Sequence, residues 1–168
     1  MKNICEGKSV SLSAIQERIL NPSKGCQHTQ AKVLEILSSL ALKVAQKHAD
    51  SVCLALGIEC LEFYHSINEK DLLMAKIAVN RSWENYMEIG VKLIKEDFRL
   101  LEQKKVLSAY FHYKAIDANH NPIMIPRVIP ETKEECKRFR EAEIRRSFRF
   151  SSKKLKKRIS PHIFYVSR

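Results

Sequence analysis

A chain of 168 residues, 45% of them hydrophobic, has enough apolar surface for one ordinary domain with a real core, which excludes wholesale disorder. The net charge of +11 points to a polyanion partner until it is located: Ile144 to Arg168 holds nine Lys or Arg and no acid, which leaves +2 for the rest. No apolar run reaches the roughly 20 residues that span a bilayer, and the opening MKNICEGKSVS lacks the apolar stretch of a signal peptide, so a cytoplasmic location is expected.

In chain order, Lys8 to Leu20 is moderately β-prone, and Asn21-Pro-Ser-Lys-Gly25 supplies turn chemistry that ends it. From Gly25 to Ala49 the pattern is helical. Val33, Leu34, Leu37, Leu40, Ala41, Val44 and Ala45 recur at helical spacing, and Lys32, Glu35, Ser39, Lys43 and Gln46 form a narrow polar stripe. So wide an apolar face predicts that more than one neighbour wraps it. Ser51 to Tyr64, Leu72 to Arg81, Tyr86 to Phe98 and Val106 to Ile116 read as strands, and residues 117–121, DANHN, as a turn. Pro122, Pro126 and Pro130 then enforce an extended passage, because each fixes φ and removes a donor. A second helix starts after Pro130: Thr132 suits the cap, Glu134 and Glu135 the positive end, and Arg145 and Arg146 the far end. The order predicts an α+β domain, an antiparallel sheet wrapped on one long helix with a peripheral helix after it.

Five cysteines, Cys5, Cys26, Cys53, Cys60 and Cys136, are odd in number and show no CxxC or CxxH spacing. Free thiols are expected rather than a zinc site or a disulfide framework, with Cys53 and Cys60 packing as small hydrophobes. No metal and no cofactor is expected.

Residues 106–149, VLSAYFHYKAIDANHNPIMIPRVIPETKEECKRFREAEIRRSFR, resemble the last strand, proline passage and terminal helix of the acyl-CoA thioesterases of the hotdog fold. The likeness is carried by Ser108 to Phe111, Ala115, Asp117, the three prolines, Glu131, Thr132, Glu135, Arg138, Ala142, Arg145 and Arg146. YMEIGVKLIKED at 86–97 is similar to another strand of that family, and AQKHADSVCLALGIECLEFY to the end of its central helix and the strand that follows. The resemblance spans about residues 21–149. It implies a hotdog domain over 1–150 with a basic tail over 151–168, an acyl-CoA or CoA ligand, and a homodimer formed edge to edge, in several relatives a trimer of dimers. The edge strand is expected at Tyr86 to Phe98, since pairing removes the liability of an open edge.

The family resemblance also implies where the chemistry sits. In relatives two glycines at the helix entry let backbone N–H groups reach the thioester oxygen, an Asp further along acts as base or nucleophile, and an Asn positions the reactants. On this chain the glycine pair falls on Gln30 and Ala31, the Asn on Ser23 and the Asp on Ser38. A serine is a poor base, and losing general-base help costs on the order of 10²- to 10⁴-fold. His28 is the one local partner for Ser38, and the bland alternative is a Ser38 hydroxyl bonded to its own preceding turn. Tyr86 stands where a small hydroxyl is usual, so that Gln30 and Tyr86 are candidates to fill the pantetheine tunnel. Arg81 and Lys92 are candidates for CoA phosphates, with solvated strand faces as the alternative. Glu88 keeps the family's residue, either as an edge-strand carboxylate paired with a Lys or facing solvent, or as a group that positions the CoA substrate.

Three functions stay open. The chain is an acyl-CoA thioester hydrolase with an altered site, a catalytically inactive hotdog protein that binds acyl-CoA or partners an active paralogue, or an interaction protein whose tail contacts an anionic surface. No specific nucleic acid is expected, because no second recognition element accompanies the tail.

Overall fold

The computed structural model describes residues 6–19, 29–68, 71–97 and 102–159. The elements are β1 (Lys8–Ser9), a 3-10 turn (Val10–Leu12), β2 (Ile15–Ile19), α1 (Thr29–Ala49), β3 (Val52–Phe63), β4 (Leu72–Ser82), β5 (Tyr86–Asp97), β6 (Glu102–Ile116), β7 (Val128–Ile129) and α2 (Lys133–Ile159). Five strands form one antiparallel sheet in the order β2-β4-β5-β6-β3, and β1 pairs with β7 in a short parallel ladder.

One face of the sheet wraps α1. Ala75, Ile77 and Val79 of β4, Met87, Ile89 and Val91 of β5 and Ala109, Phe111 and Tyr113 of β6 are buried with Val33, Leu37, Leu40, Ala41, Val44 and Ala45 of the helix in one core. Leu34, Ile36 and Leu42 pack against its margin, so the helix is held on more than one side, as its wide apolar face requires. The helix stops after Ala49, where Asp50 takes a positive φ of 51°, and Lys8 donates from Nζ to the carbonyls of Lys47 and His48.

The expected position of the free edge is overturned. β5 lies at the centre of the sheet between β4 and β6, and the edges among the described strands are β2 and β3. Its burial shows the reason: Met87, Glu88 and Ile89 are all buried, with α1 against the inner face and Arg145 of α2 bonded to Glu88 on the outer one. On β3, Cys53 is buried as expected. Cys60 is not packed as a small hydrophobe; it is exposed, at a φ of 49°, inside the second of two register shifts in that strand.

The proline passage is pinned at Pro126, whose carbonyl accepts from Ser82 Oγ at 2.8 Å and faces His48 Nε2 at 3.0 Å. Ser82 Oγ in turn accepts from the Val128 N–H at 3.0 Å. The start of α2 is a capping box: the Glu135 N–H donates to Thr132 Oγ1 at 3.2 Å, and Glu135 Oε2 accepts from the N–H groups of Glu131 and Thr132 at 2.8 and 3.1 Å. Arg145 and Arg146 lie mid-helix rather than at its far end, because α2 runs on to Ile159. Among the described residues no helix is long and apolar enough to cross a membrane.

Candidate functional site

A cavity of about 350 Å³ lies between the middle of α1 and the open edge β3. Ser38 forms its floor, Ala55, Leu56, Gly57 and Ile58 of β3 its rim, and Phe111 and Tyr113 of β6 its back. The first register shift in β3, between Ala55 and Gly57, falls at this lining, and Gly57 has open space where a Cβ would be. Leu56 and Ile58 are 55% and 41% exposed, and they lie on an edge strand that among the described strands pairs on one side only, with β6.

The lining is apolar apart from two hydroxyls, and both are committed. Ser38 Oγ donates to the Leu34 carbonyl at 2.7 Å, the bond to its own preceding turn, and Tyr113 donates to the Ser38 carbonyl at 3.4 Å. Tyr113 is the one titratable residue of the lining, and burial pushes its phenol up to about 12, with Cys53 adding to the shift. None of the lining groups accepts a proton near neutral pH. The arrangement can bind an apolar chain, but by itself it cannot activate water.

The remaining predicted residues are dispersed. Gln30 and Ala31 are exposed in the first turn of α1, eight and seven residues before Ser38, or roughly 12 Å along the axis. Ser23 and His28 lie outside the described residues. Lys92 is exposed on the outer face of β5, opposite Lys76 and Ser108 on the flanking strands.

Tyr86, Glu88 and Arg81 belong to a different assembly, on the outer face of the sheet beneath α2. Glu88 is fully buried. Its Oε1 accepts from Asn80 Nδ2 at 2.9 Å and Arg145 Nη2 at 2.7 Å, its Oε2 accepts from Arg145 Nε at 3.2 Å, and Arg149 Nη2 stands 3.8 Å away. The expected edge carboxylate is therefore an interior one paired with arginine rather than lysine. Tyr86 stacks on His112 with ring centres 5.6 Å apart, and its hydroxyl meets His112 Nδ1 at 2.6 Å and the Arg149 guanidinium. It fills no tunnel beside α1. Arg81 pairs with Glu143 at 3.1 Å and lies 4.1 Å from the centre of the Phe139 ring. Arg149 donates to Glu59 at 2.6 Å, and Arg145 lies over Tyr110 at 3.7 Å. These partners come from β3, β4, β5 and β6, so the cluster bolts α2 to the sheet.

No protein-family model matches the chain. Over 104 residues it is 28% identical to the uncharacterized acyl-CoA thioester hydrolase YkhA of Bacillus subtilis, a match covering 62% of this chain and 60% of that protein. The structure superposes on the acyl-CoA hydrolase of Bacillus cereus with a TM-score of 0.83, at 22% identity, over 95% of this chain and 100% of the other. The fold is the hotdog. The proteins it resembles in sequence and in fold are named acyl-CoA thioester hydrolases, at modest identity.

A second hotdog neighbour is the acyl-CoA hydrolase of Staphylococcus aureus, solved with butyryl-CoA, CoA and CoA disulfide. It matches at a TM-score of 0.77 and 21% identity over 90% of this chain and 98% of that one. Variants of that enzyme replace by alanine an asparagine, an aspartate fifteen residues further on, and a threonine seventeen beyond that. The same spacing on this hotdog chain runs through Ser23, Ser38 and Ala55. Ala55 lines the same cavity as Ser38, and as an alanine it carries no polar side-chain group. The signal was nonetheless present in VCLALGIECLEFY, which the family resemblance already aligned with the strand after the central helix.

Proposed function

We propose that this chain is an acyl-CoA thioester hydrolase-like protein, located in the cytoplasm, whose cavity beside Ser38 receives the acyl end of an acyl-CoA. The observation that carries this reading is the cavity itself: an apolar slot of about 350 Å³ on the hotdog helix, lined by Ser38 and Ala55, whose separation of seventeen residues equals that of the aspartate and threonine replaced in the Staphylococcus aureus enzyme. Apolar lining gains roughly 0.8 kcal/mol per buried methylene, which suits an acyl chain.

A second reading rests on a specific observation. Ser38 Oγ is bound to Leu34, Ala55 has no polar side-chain atom, and Tyr113 keeps its proton, so bound thioester meets no base among the described lining residues. On that reading the protein binds acyl-CoA without hydrolysing it, or completes an assembly in which an active paralogue supplies the carboxylate.

Thiol release from acyl-CoA thioesters, measured for the native chain and for Ser38→Asp, tests both. The expected result is release by the native chain at the buffer rate or on the order of 10²- to 10⁴-fold below the variant. Full native turnover unaffected by the substitution would mean that another residue supplies the base; inactivity of both proteins, with no acyl-CoA bound, would remove the cavity as a thioester site.

The partner expected from the resemblance, a second copy, fits the open β3 edge. Val52, Leu54, Leu56, Ile58 and Leu61 are exposed along a strand whose outer edge has no neighbour among the described strands. Pairing two β3 strands joins the sheets in an isologous contact and roofs the cavity mouth, and a trimer of such dimers is the larger closed form.

A further inference from the structure

We propose that the Tyr113 hydroxyl is the donor to the carbonyl oxygen of an acyl group bound in the cavity, so that the chain selects acyl thioesters over ligands with the same hydrocarbon chain and no carbonyl. The inference rests on the acyl-CoA reading above and adds to it the group that recognises the thioester head. Of the side chains that line the cavity, only those of Ser38 and Tyr113 end in a hydrogen-bond donor. They are held very differently. Ser38 Oγ lies 2.7 Å from the Leu34 carbonyl, the ordinary length for a hydroxyl donor, and its hydrogen is taken. Tyr113 reaches the Ser38 carbonyl only at 3.4 Å, well beyond the limit of about 3.0 Å for a well-formed O–H···O bond. That carbonyl also accepts from the Leu42 N–H one turn along α1. Tyr113 therefore gives up little when its hydroxyl turns to a ligand.

Position and environment fit the role. Strand pairing sets Tyr113 of β6 directly opposite Ala55 of β3, the smallest side chain of the lining. The tyrosine is buried in the same core as Ala109 and Phe111, so its hydroxyl sits on a packed support. Burial pushes the phenol up to about 12, and it stays a proton-bearing donor throughout the neutral range. A thioester carried into an apolar slot loses the water on its carbonyl oxygen, and a buried acceptor left unpaired is costly. One O–H group inside the slot removes that cost. A thioether of the same chain length has no such oxygen and gains nothing from Tyr113. With no proton acceptor in the lining, these residues bind the carbonyl without cleaving it.

Titration calorimetry of the native chain and of Tyr113→Phe with two matched ligands tests it: a long-chain acyl-CoA thioester and the alkyl-CoA thioether of the same length. Thiol release followed in the same samples shows that the thioester is intact. The native chain should bind the thioester about three- to tenfold tighter than the thioether, and Y113F should bind the two equally. The ratio of the two affinities is the readout, since a structural effect of the substitution moves both ligands alike. The carbonyl stretch of an isotope-labelled thioester should also lie at lower frequency on the native chain than on Y113F. A Y113F chain that keeps the native preference for the thioester overturns the proposal, because a backbone N–H of the β3 rim is then the donor. Equal binding of both ligands by the native chain, with affinity still rising with chain length, overturns it and leaves the acyl reading standing. Binding of neither ligand removes both.

Discussion

Glu88 is sealed from solvent, and its two oxygens take three hydrogen bonds, one from Asn80 and two from Arg145. Removing one partner of a buried pair strands the other, which costs about 3–5 kcal/mol. Glu88→Ala should therefore lower Tm by roughly 6–20 °C in a chain of this size; calorimetry showing an unchanged Tm would mean that the cluster does not hold α2. His48 makes a second prediction. It is fully buried between Ser13 and the Pro126 carbonyl, and burial holds its imidazole below the ordinary 6.5, with the Pro126 bond opposing and the Lys8 charge assisting. A depressed histidine takes up its proton more readily unfolded than folded, so stability is full above about pH 6.5 and declines as pH falls below it. His112, also lowered by burial and then by Arg149, acts with the same sign. Tm should fall between pH 7 and pH 5, with a shallower slope in His48→Gln; a flat native profile would contradict this. The Ser38 back-bond was legible in the sequence, because a mid-helix serine has a carbonyl one turn behind it. The burial of Glu88 was not, since the alternation of β5 says nothing about which helix covers its other face.

At the scale of elements, α1 and the strands β3 to β6 were legible within a few residues, because their apolar periods and the flanking turn residues agree. Strand order is different. It follows from which strands find each other in space, and nothing in the β5 pattern separates a central strand from an edge. The length of α2 was also hidden, since a Lys-rich stretch with little apolar content reads as a tail, while the helix continues through it to Ile159. The open edge gives a prediction of its own. Val52 and Leu54, exposed at 54% and 45%, flank the β3 mouth without lining the cavity. Val52→Lys with Leu54→Lys should shift a native dimer or hexamer toward monomer by light scattering, while the far-ultraviolet circular dichroism stays the same. A native chain that is monomeric at every concentration would remove β3 as the joint.

At the scale of the whole molecule, two separate assemblies share one sheet. The face toward α1 carries the core and the apolar cavity, and the face toward α2 carries the charged cluster that fixes the terminal helix. The hotdog scaffold is present while the cavity wall offers no proton acceptor among its described residues, so on the proposed reading binding and turnover should come apart. That separation is tested most directly by the affinity of the native chain for CoA and for acyl-CoA thioesters of increasing chain length, measured by titration calorimetry beside Ala55→Trp, which fills the cavity. Affinity should rise about fourfold per methylene until the slot is full, and the rise should vanish in A55W. CoA bound as tightly as its long-chain thioesters, or a chain-length dependence that A55W leaves untouched, would contradict the assignment of the cavity to the acyl group.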